Sequence, residues 1–208
     1  MTRTIAIVDY GVGNLRSAQK AFERCGHAAE VTRDAERIAS APGVVLPGVG
    51  AFGTCMDNLR SFGLVEPVLD VIKRGTPFLG ICVGMQLLFE ESEEFGPLPG
   101  LGVLPGKIVR FPHDPERKVP HMGWNTLRIA RRSLHLDGIA DGAYAYFVHS
   151  YYPVPADPTL TATATPYGEE FASAVGRDHV FGTQFHPEKS QRTGLQLIAN
   201  FVRLVTGN

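Results

Sequence analysis

The sequence predicts an α/β fold: a mainly parallel central sheet flanked by helices, with extra antiparallel strands in the second half. Three observations predict it. Short β-branched runs alternate with helix-periodic stretches in the first half. Glycine-rich turns follow those runs, as strand-to-helix connections require. In the second half the helical period gives way to successive strands separated by turns. Hydrophobic residues make up 44% of 208 and charged residues 20%, enough apolar material for a packed core. There is no repeat, low-complexity tract or linker, so residues 1–208 are expected to form a single domain.

Thr4–Val8 is the first expected strand, followed by the turn residues Asp9-Tyr10-Gly11-Val12-Gly13. Asn14 is placed to cap a helix whose Leu15, Ala18, Phe22 and Cys25 share one face and which Gly26 stops. Ala29–Thr32 and Val44–Leu46 are the next strands, the second ending in Pro47-Gly48-Val49-Gly50. One helix is expected over Met56–Lys73, with Leu59, Val68, Leu69 and Ile72 apolar. Pro77–Ile81 is a strand that runs straight into Cys82 and a helix through Met85, Leu88 and Phe89. Lys107–Phe111, Asn125–Ile129, Tyr144–His149, Leu160–Thr165, Ala172–Val175 and Val180–Phe185 read as antiparallel or mixed strands. A last helix carries Leu195, Ile198, Ala199 and Val202 on one face.

Charge and cysteine usage exclude several classes. Lys+Arg 20 against Asp+Glu 21 leaves a net charge of -1. With no cationic surplus to neutralise phosphates, neither nucleic acid nor an anionic membrane is an expected partner. The first apolar run, Ile5–Val8, is too short for a signal peptide or a membrane span. Three cysteines, Cys25, Cys55 and Cys82, form no CxxC pair and leave an odd count, which fits a reducing cytoplasm better than a disulfide framework. No HExxH or CxxC spacing suggests a metal site.

The strongest local signal is Gly80-Ile81-Cys82-Val83-Gly84, a G-x-nucleophile-x-G elbow between a strand and a helix, with Cys in place of Ser. Such a turn is sharp and strained, so glycines are expected where side chains would collide. It lifts the sulfur above the carboxyl edge of the sheet, aims a helix N-terminus at it to favour the thiolate, and offers the Val83 amide to an oxyanion. A buried structural cysteine in a glycine-rich turn is the alternative. A cysteine nucleophile needs a base. His27, His113, His135 and His179 lie in polar or turn-like stretches and read as surface residues. His121 and His149 could be structural or line a pocket. His186 follows an expected strand and precedes Pro187-Glu188, which puts it at a strand end with a carboxylate two residues on. Glu188 can accept one imidazole N–H and leave the other nitrogen free as base. Exposed turn residues would read the same way alone, but Cys82, His186 and Glu188 together point to a triad. Pro47-Gly48-Val49-Gly50 can supply a second oxyanion amide. Gly48, Gly50 and Gly53 also match G-x-G-x-x-G, but after the third strand and with no acidic strand end about 20 residues on, so dinucleotide binding is rejected and no cofactor is expected.

Taken together, Gly80–Leu88, Gln184-Phe185-His186-Pro187-Glu188-Lys189-Ser190 and Pro47–Gly50 resemble the triad (class I) glutamine amidotransferases, whose fold is flavodoxin-like. Ile7–Leu15, Pro120-His121-Met122-Gly123-Trp124-Asn125 and Tyr146–Tyr152 resemble one branch of that family, and the likeness runs from Ile5 to the last helix. The family more often has Leu at the position of Val83, where only the backbone amide is required. The resemblance implies that L-glutamine is the substrate, Cys82 the nucleophile, His186 the base and then the acid, and Glu188 its orienting carboxylate. It implies an oxyanion hole from Val49, Gly50 and Val83, and substrate contacts from Gln86, His149, Ser150 and Tyr151. It further implies a heterodimer, through Asn14 and Lys189, with a cyclase subunit of (β/α)8-barrel type that receives ammonia through a protected channel. The glutaminase subunit of another class I amidotransferase, such as that of pyridoxal phosphate synthase or anthranilate synthase, stands as the alternative. A cysteine peptidase or an inactive scaffold on a related fold is further away.

Overall fold

The elements run β1 (Ile5–Val8), α1 (Leu15–Arg24), β2 (Ala29–Thr32), α2 (Ala35–Ser40), β3 (Val44–Gly48), α3 (Phe52–Ser61), α4 (Val65–Lys73), β4 (Phe78–Cys82) and α5 (Val83–Gln86). There follow β5 (Phe89–Ser92), β6 (Leu98–Pro99), β7 (Leu104–Arg110), β8 (His121–Ile129), β9 (Ala143–His149), β10 (Tyr151–Pro155), β11 (Thr161–Tyr167), β12 (Glu169–Arg177), β13 (Val180–Thr183) and α6 (Gln191–Thr206). This computed structural model describes residues 4–115 and 117–207. Nine strands form one sheet in the order β2-β1-β3-β4-β13-β12-β11-β8-β9. From β2 to β13 the pairing is parallel, and from β13 outward it is antiparallel. The expected α/β class with added antiparallel strands is therefore what the chain adopts. A second sheet, β10-β7-β5-β6, lies beside the first.

β1, β3, β4 and β13 are buried along their whole length, as strands of a parallel sheet covered on both faces must be. The closing helix packs Phe201 edge-on against Phe22 of α1, ring centroids 6.0 Å apart. That contact joins the two ends of the chain.

Three local expectations are corrected. Asn14 starts α1 but makes no side-chain cap hydrogen bond. The helix expected over Met56–Lys73 is two helices: Gly63 takes φ +68° and fully buried Leu64 anchors the turn between α3 and α4. The helix after Cys82 lasts only Val83–Gln86. Leu87, Leu88 and Phe89 are all fully buried, so no solvent face remains for a surface helix. Their carbonyls instead accept from Leu101, Val103 and Gly102 at 2.8–3.1 Å. The short α2 was not foreseen, although Asp34 caps it by accepting from the amides of Glu36 and Arg37.

Of the histidines read as surface residues, His113 is exposed and His27 and His179 are half-buried. His135 is not at the surface. Its ring stacks on Phe181 at 4.2 Å and 8° and is 6% exposed. Burial, with a smaller contribution from Arg131, pushes its pKa down to about 4. Burial likewise lowers His121 to about 4 and His149 to about 3.

These three rings fold in the neutral form, while an unfolded histidine titrates near pH 6.5. Below that value the unfolded chain binds more protons, so stability held above about pH 6.5 is lost as the pH falls toward 4. His186, protonated in both states below pH 6.5, adds no slope in that window. We predict that His135→Phe, which keeps the stack, removes up to about 2 kcal/mol of the stability loss between pH 7 and pH 5. Urea unfolding at both pH values measures this; identical losses in variant and parent would show that His135 titrates normally.

Candidate active site

Strand β4 ends at Cys82 with φ +54° and ψ −115°, a conformation that side-chain-bearing residues rarely adopt. Three glycines make it sterically possible. A Cβ on Gly84 would stand 1.8 Å from the Leu46 carbonyl oxygen, one on Gly80 2.8 Å from the Met85 Cα, and one on Gly48 2.5 Å from the Gly84 nitrogen. The elbow thus fits only by passing directly against β3, whose register sets Gly48 opposite Cys82. Because α5 is a single turn, its dipole is too small to be the main support of a thiolate.

The cation at this site comes from elsewhere. β13 pairs with β4 in parallel, Thr183 opposite Ile81, so the residues beyond both carboxyl ends are neighbours. His186 lies there, just before a 3-10 turn at Pro187–Lys189. Its Nδ1 meets Glu188 Oε1 at 2.9 Å, with both side chains 2% exposed. Ser190 clamps the turn: its hydroxyl donates to the His186 carbonyl at 2.7 Å and accepts from the Tyr146 amide at 2.9 Å. Burial works against the imidazolium, but Cys82 and Glu188 outweigh it, and the His186 pKa is raised well above the usual histidine value. Nε2 makes no hydrogen bond of good geometry among the described residues; the nearby Cys82 sulfur is the group that favours its proton.

A cavity of about 290 Å³ opens onto these groups. Cys82, His186, Val49, Gly50, Val83, Gln86, His149, Ser150 and Tyr151 all line it, so every expected catalytic, oxyanion and substrate residue except Glu188, which stands behind His186, meets one space. The His149 ring faces inward to the protein: Nδ1 donates to the Tyr151 carbonyl at 2.9 Å and Nε2 lies 3.0 Å from His121 Nδ1. Any ligand contact from this segment therefore falls to Ser150, Tyr151 and the backbone. Neither Asn14 nor Lys189 lines the cavity. Lys189 is exposed with Nζ 5.9 Å above the Tyr146 ring, against which exposed Trp124 packs edge-on.

Three residues of this region have no role in the sequence reading: Glu94 is not singled out there, Gln184 stands only as part of the motif around His186, and Cys55 only in the cysteine count. Glu94 lines the cavity and accepts from the Phe52 amide, the first of α3, at 2.6 Å. Gln184 is fully buried with its Nε2 3.6 Å from Cys82 Sγ. Cys55 donates its thiol to the Val49 carbonyl at 3.4 Å, and burial holds it protonated with a pKa of about 11. Glu94 sits in a loop with no motif around it. Gln184 is two residues before His186, which was the one available signal.

Comparison with known proteins agrees with this frame. The chain is 54% identical over 202 residues to the "Imidazole glycerol phosphate synthase subunit HisH" of Syntrophotalea carbinolica, covering 95% of this chain and 98% of that one. It is equally similar, 54%, to the protein of the same name from Geobacter sulfurreducens, covering 95% and 97%. Among solved structures, that of PurLQS from Thermotoga maritima superposes with a TM-score of 0.76 at 18% identity, covering 98% of this chain and 99% of that one; at this identity the likeness concerns the fold. The model of the family "Glutamine amidotransferase class-I" matches residues 6–205. With the match running through elbow, strand β13 and closing helix alike, the chain belongs to the class-I glutamine amidotransferase family.

Proposed function

We propose that this chain is the glutaminase subunit of an imidazole glycerol phosphate synthase in histidine biosynthesis, acting in the cytoplasm. The observation that carries the reading is the meeting of Cys82, His186 and Glu188 at one small cavity in a chain 54% identical to named subunits of that enzyme.

Cys82 attacks the side-chain amide carbon of L-glutamine. His186 takes the thiol proton as base and then, as acid, gives it to departing ammonia; Cys82 and Glu188 favour the imidazolium in between. A γ-glutamyl thioester remains on Cys82. Neutral His186 then takes a proton from water as it attacks the thioester and returns that proton to the departing Cys82 sulfur; the new γ-carboxyl leaves as glutamate, its proton going to water. Glu188 holds the ring and stabilises its charge throughout. Val83, Val49 and Gly50 supply backbone amides to the oxyanion. Gln86 and the Ser150–Tyr151 segment position the substrate, and the Glu94 carboxylate complements its α-ammonium group.

Ammonia in neutral water is almost all ammonium and no nucleophile, so it has to be handed over under cover. The partner is a cyclase subunit of (β/α)8-barrel type in a heterodimer. It uses the ammonia to turn a phosphoribulosyl-formimino carboxamide ribotide into imidazole glycerol phosphate and an aminoimidazole carboxamide ribotide. Asn14 and Lys189 belong to the docking side, and no cofactor takes part. Among the described residues, no helix is long and apolar enough to cross a membrane.

Cys82→Ala is expected to abolish glutamine hydrolysis, while the complex still makes product from ammonium salt at raised pH. Persistent glutamine turnover would exclude Cys82 as nucleophile; Cys25→Ala, away from the cavity, serves as the near-wild-type control. Glu188→Gln should lower kcat by about a hundredfold or more and leave KM largely unchanged, since the carboxylate touches the imidazole and not the substrate. Steady-state kinetics decide this, and wild-type activity would remove Glu188 from the triad. The isolated subunit should be a poor glutaminase, stimulated on addition of the cyclase and again on addition of its nucleotide ligand. A misplaced oxyanion donor costs about 10²–10³ in rate, and the Val49 loop, with Gly50 at φ +91°, has the freedom to misplace one. Glutamate release measured in the three conditions tests the idea, which equal and high rates would refute.

A further inference from the structure

We propose that Gln184 is a further catalytic residue: an amide donor that aims and stabilises the Cys82 thiolate, held in orientation by Gln86. This rests on the reading of Cys82 as nucleophile. The argument is one of donors and acceptors, starting from a group whose identity is fixed. The Tyr151 backbone carbonyl can only accept. Two side-chain atoms meet it, His149 Nδ1 at 2.9 Å and Gln86 Nε2 at 3.0 Å, and both must therefore donate. The Gln86 amide is thus set with Nε2 inward. Its second N–H points at Gln184, at 3.0 Å, so the Gln184 atom there must be the acceptor Oε1. The other end of the Gln184 amide is then Nε2, an N–H donor, and it lies 3.6 Å from Cys82 Sγ.

The same logic runs outward. His149 carries its proton on Nδ1, so its Nε2 accepts from His121 Nδ1 at 3.0 Å. His121 Nε2 in turn accepts from Asn125 Nδ2 at 3.3 Å. Every group in the chain from Asn125 to the sulfur is neutral and has one permitted orientation. Gln184 and Gln86 are 0% and 3% exposed, so no exchange with bulk water competes with these bonds. A buried amide pointing its positive edge at the sulfur favours the anion over the thiol, and it does so through a different donor from His186. The network also ties the nucleophile to the Tyr151 wall of the substrate cavity.

Gln184→Met keeps the side-chain length and removes the donor. The expected kcat falls about tenfold to a hundredfold, the factor that a hydrogen bond to a charged group is worth, while KM moves by less than about threefold. Alkylation of Cys82 by iodoacetamide at pH 7, followed on its own peptide by mass spectrometry in the full-length chain, should slow in parallel, because the thiolate is the reacting form. Gln184→Leu is the second variant, used if the first melts early. It also lacks a donor and its apolar side chain suits the fully buried site, so alkylation should slow as in Gln184→Met. A folded variant of either kind whose Cys82 is alkylated at the wild-type rate overturns the proposal, even if turnover has dropped, since a packing role would leave the thiolate untouched. Glutamine turnover surviving in Cys82→Ala would instead overturn the reading of Cys82 on which the proposal rests.

Discussion

The contact between Gly84 and the Leu46 carbonyl governs the rest of the site. Only a residue without a Cβ lets the chain after β4 pass this close to β3, and only that passage turns Cys82 into its positive-φ conformation. A strained residue at the end of a buried strand persists because the sheet on both sides fixes it; β3 and β13 each pair with β4 in parallel along that strand. The sulfur is thus placed by backbone geometry before any side chain acts on it. The same closeness brings the Pro47–Gly50 turn against the elbow, where Tyr10 donates to the Pro47 carbonyl at 2.6 Å and Cys55 to that of Val49.

The second constraint is sheet order. Inserting β13 beside β4 closes the parallel half of the sheet with a strand from near the C-terminus, and it carries His186 to the carboxyl edge where Cys82 already stands. Open α/β sheets bind ligands at that edge for this reason: the strand ends converge while the helices cover the faces. The antiparallel continuation through β12, β11, β8 and β9 then supplies the far wall, since His149 ends β9 and Tyr151 begins β10. The two sheets meet at the cavity through this segment and through α5, which leads from β4 of the first sheet to β5 of the second.

Electrostatically the site divides into two parts. One part holds the ionisable groups: the His186 ring, whose proton is favoured, the Glu188 carboxyl and the cysteine sulfur, all withdrawn from water. Buried charges of this kind are tolerated because each has an opposite partner or a donor within reach. The other part is neutral: two histidines kept unprotonated by burial, and two glutamines whose amides are set by a backbone carbonyl. The neutral part orients the charged part without adding charge that would need compensation.

How much of this the sequence held varies with range. Gly80, Cys82, Gly84, Pro187 and Glu188 are legible because elbow and turn are local devices: their chemistry depends on neighbours within two or three positions. The alternation of strands and helices was legible for the same reason, as burial imposes a period on the residues themselves. The misreadings were of residues whose neighbours are distant in the chain. His135 stands in a polar stretch yet stacks on Phe181, and Phe89 belongs to a strand because the 100–104 backbone takes its hydrogen bonds. Glu94 has no local signature and Gln184 only its place two residues before His186, since the Phe52 amide and the Cys82 sulfur that they meet are distant in the chain; Cys55 meets the nearby Val49 carbonyl, a bond that no residue pattern marks. The sequence by itself determined the class of fold and singled out Cys82, His186 and Glu188 as one group, because steric and hydrogen-bonding demands at an elbow or a turn are met within a few residues. The tertiary structure alone decided which polar side chains face the sulfur and which are neutral, because direction and desolvation arise only when β3, β4 and β13 are packed together.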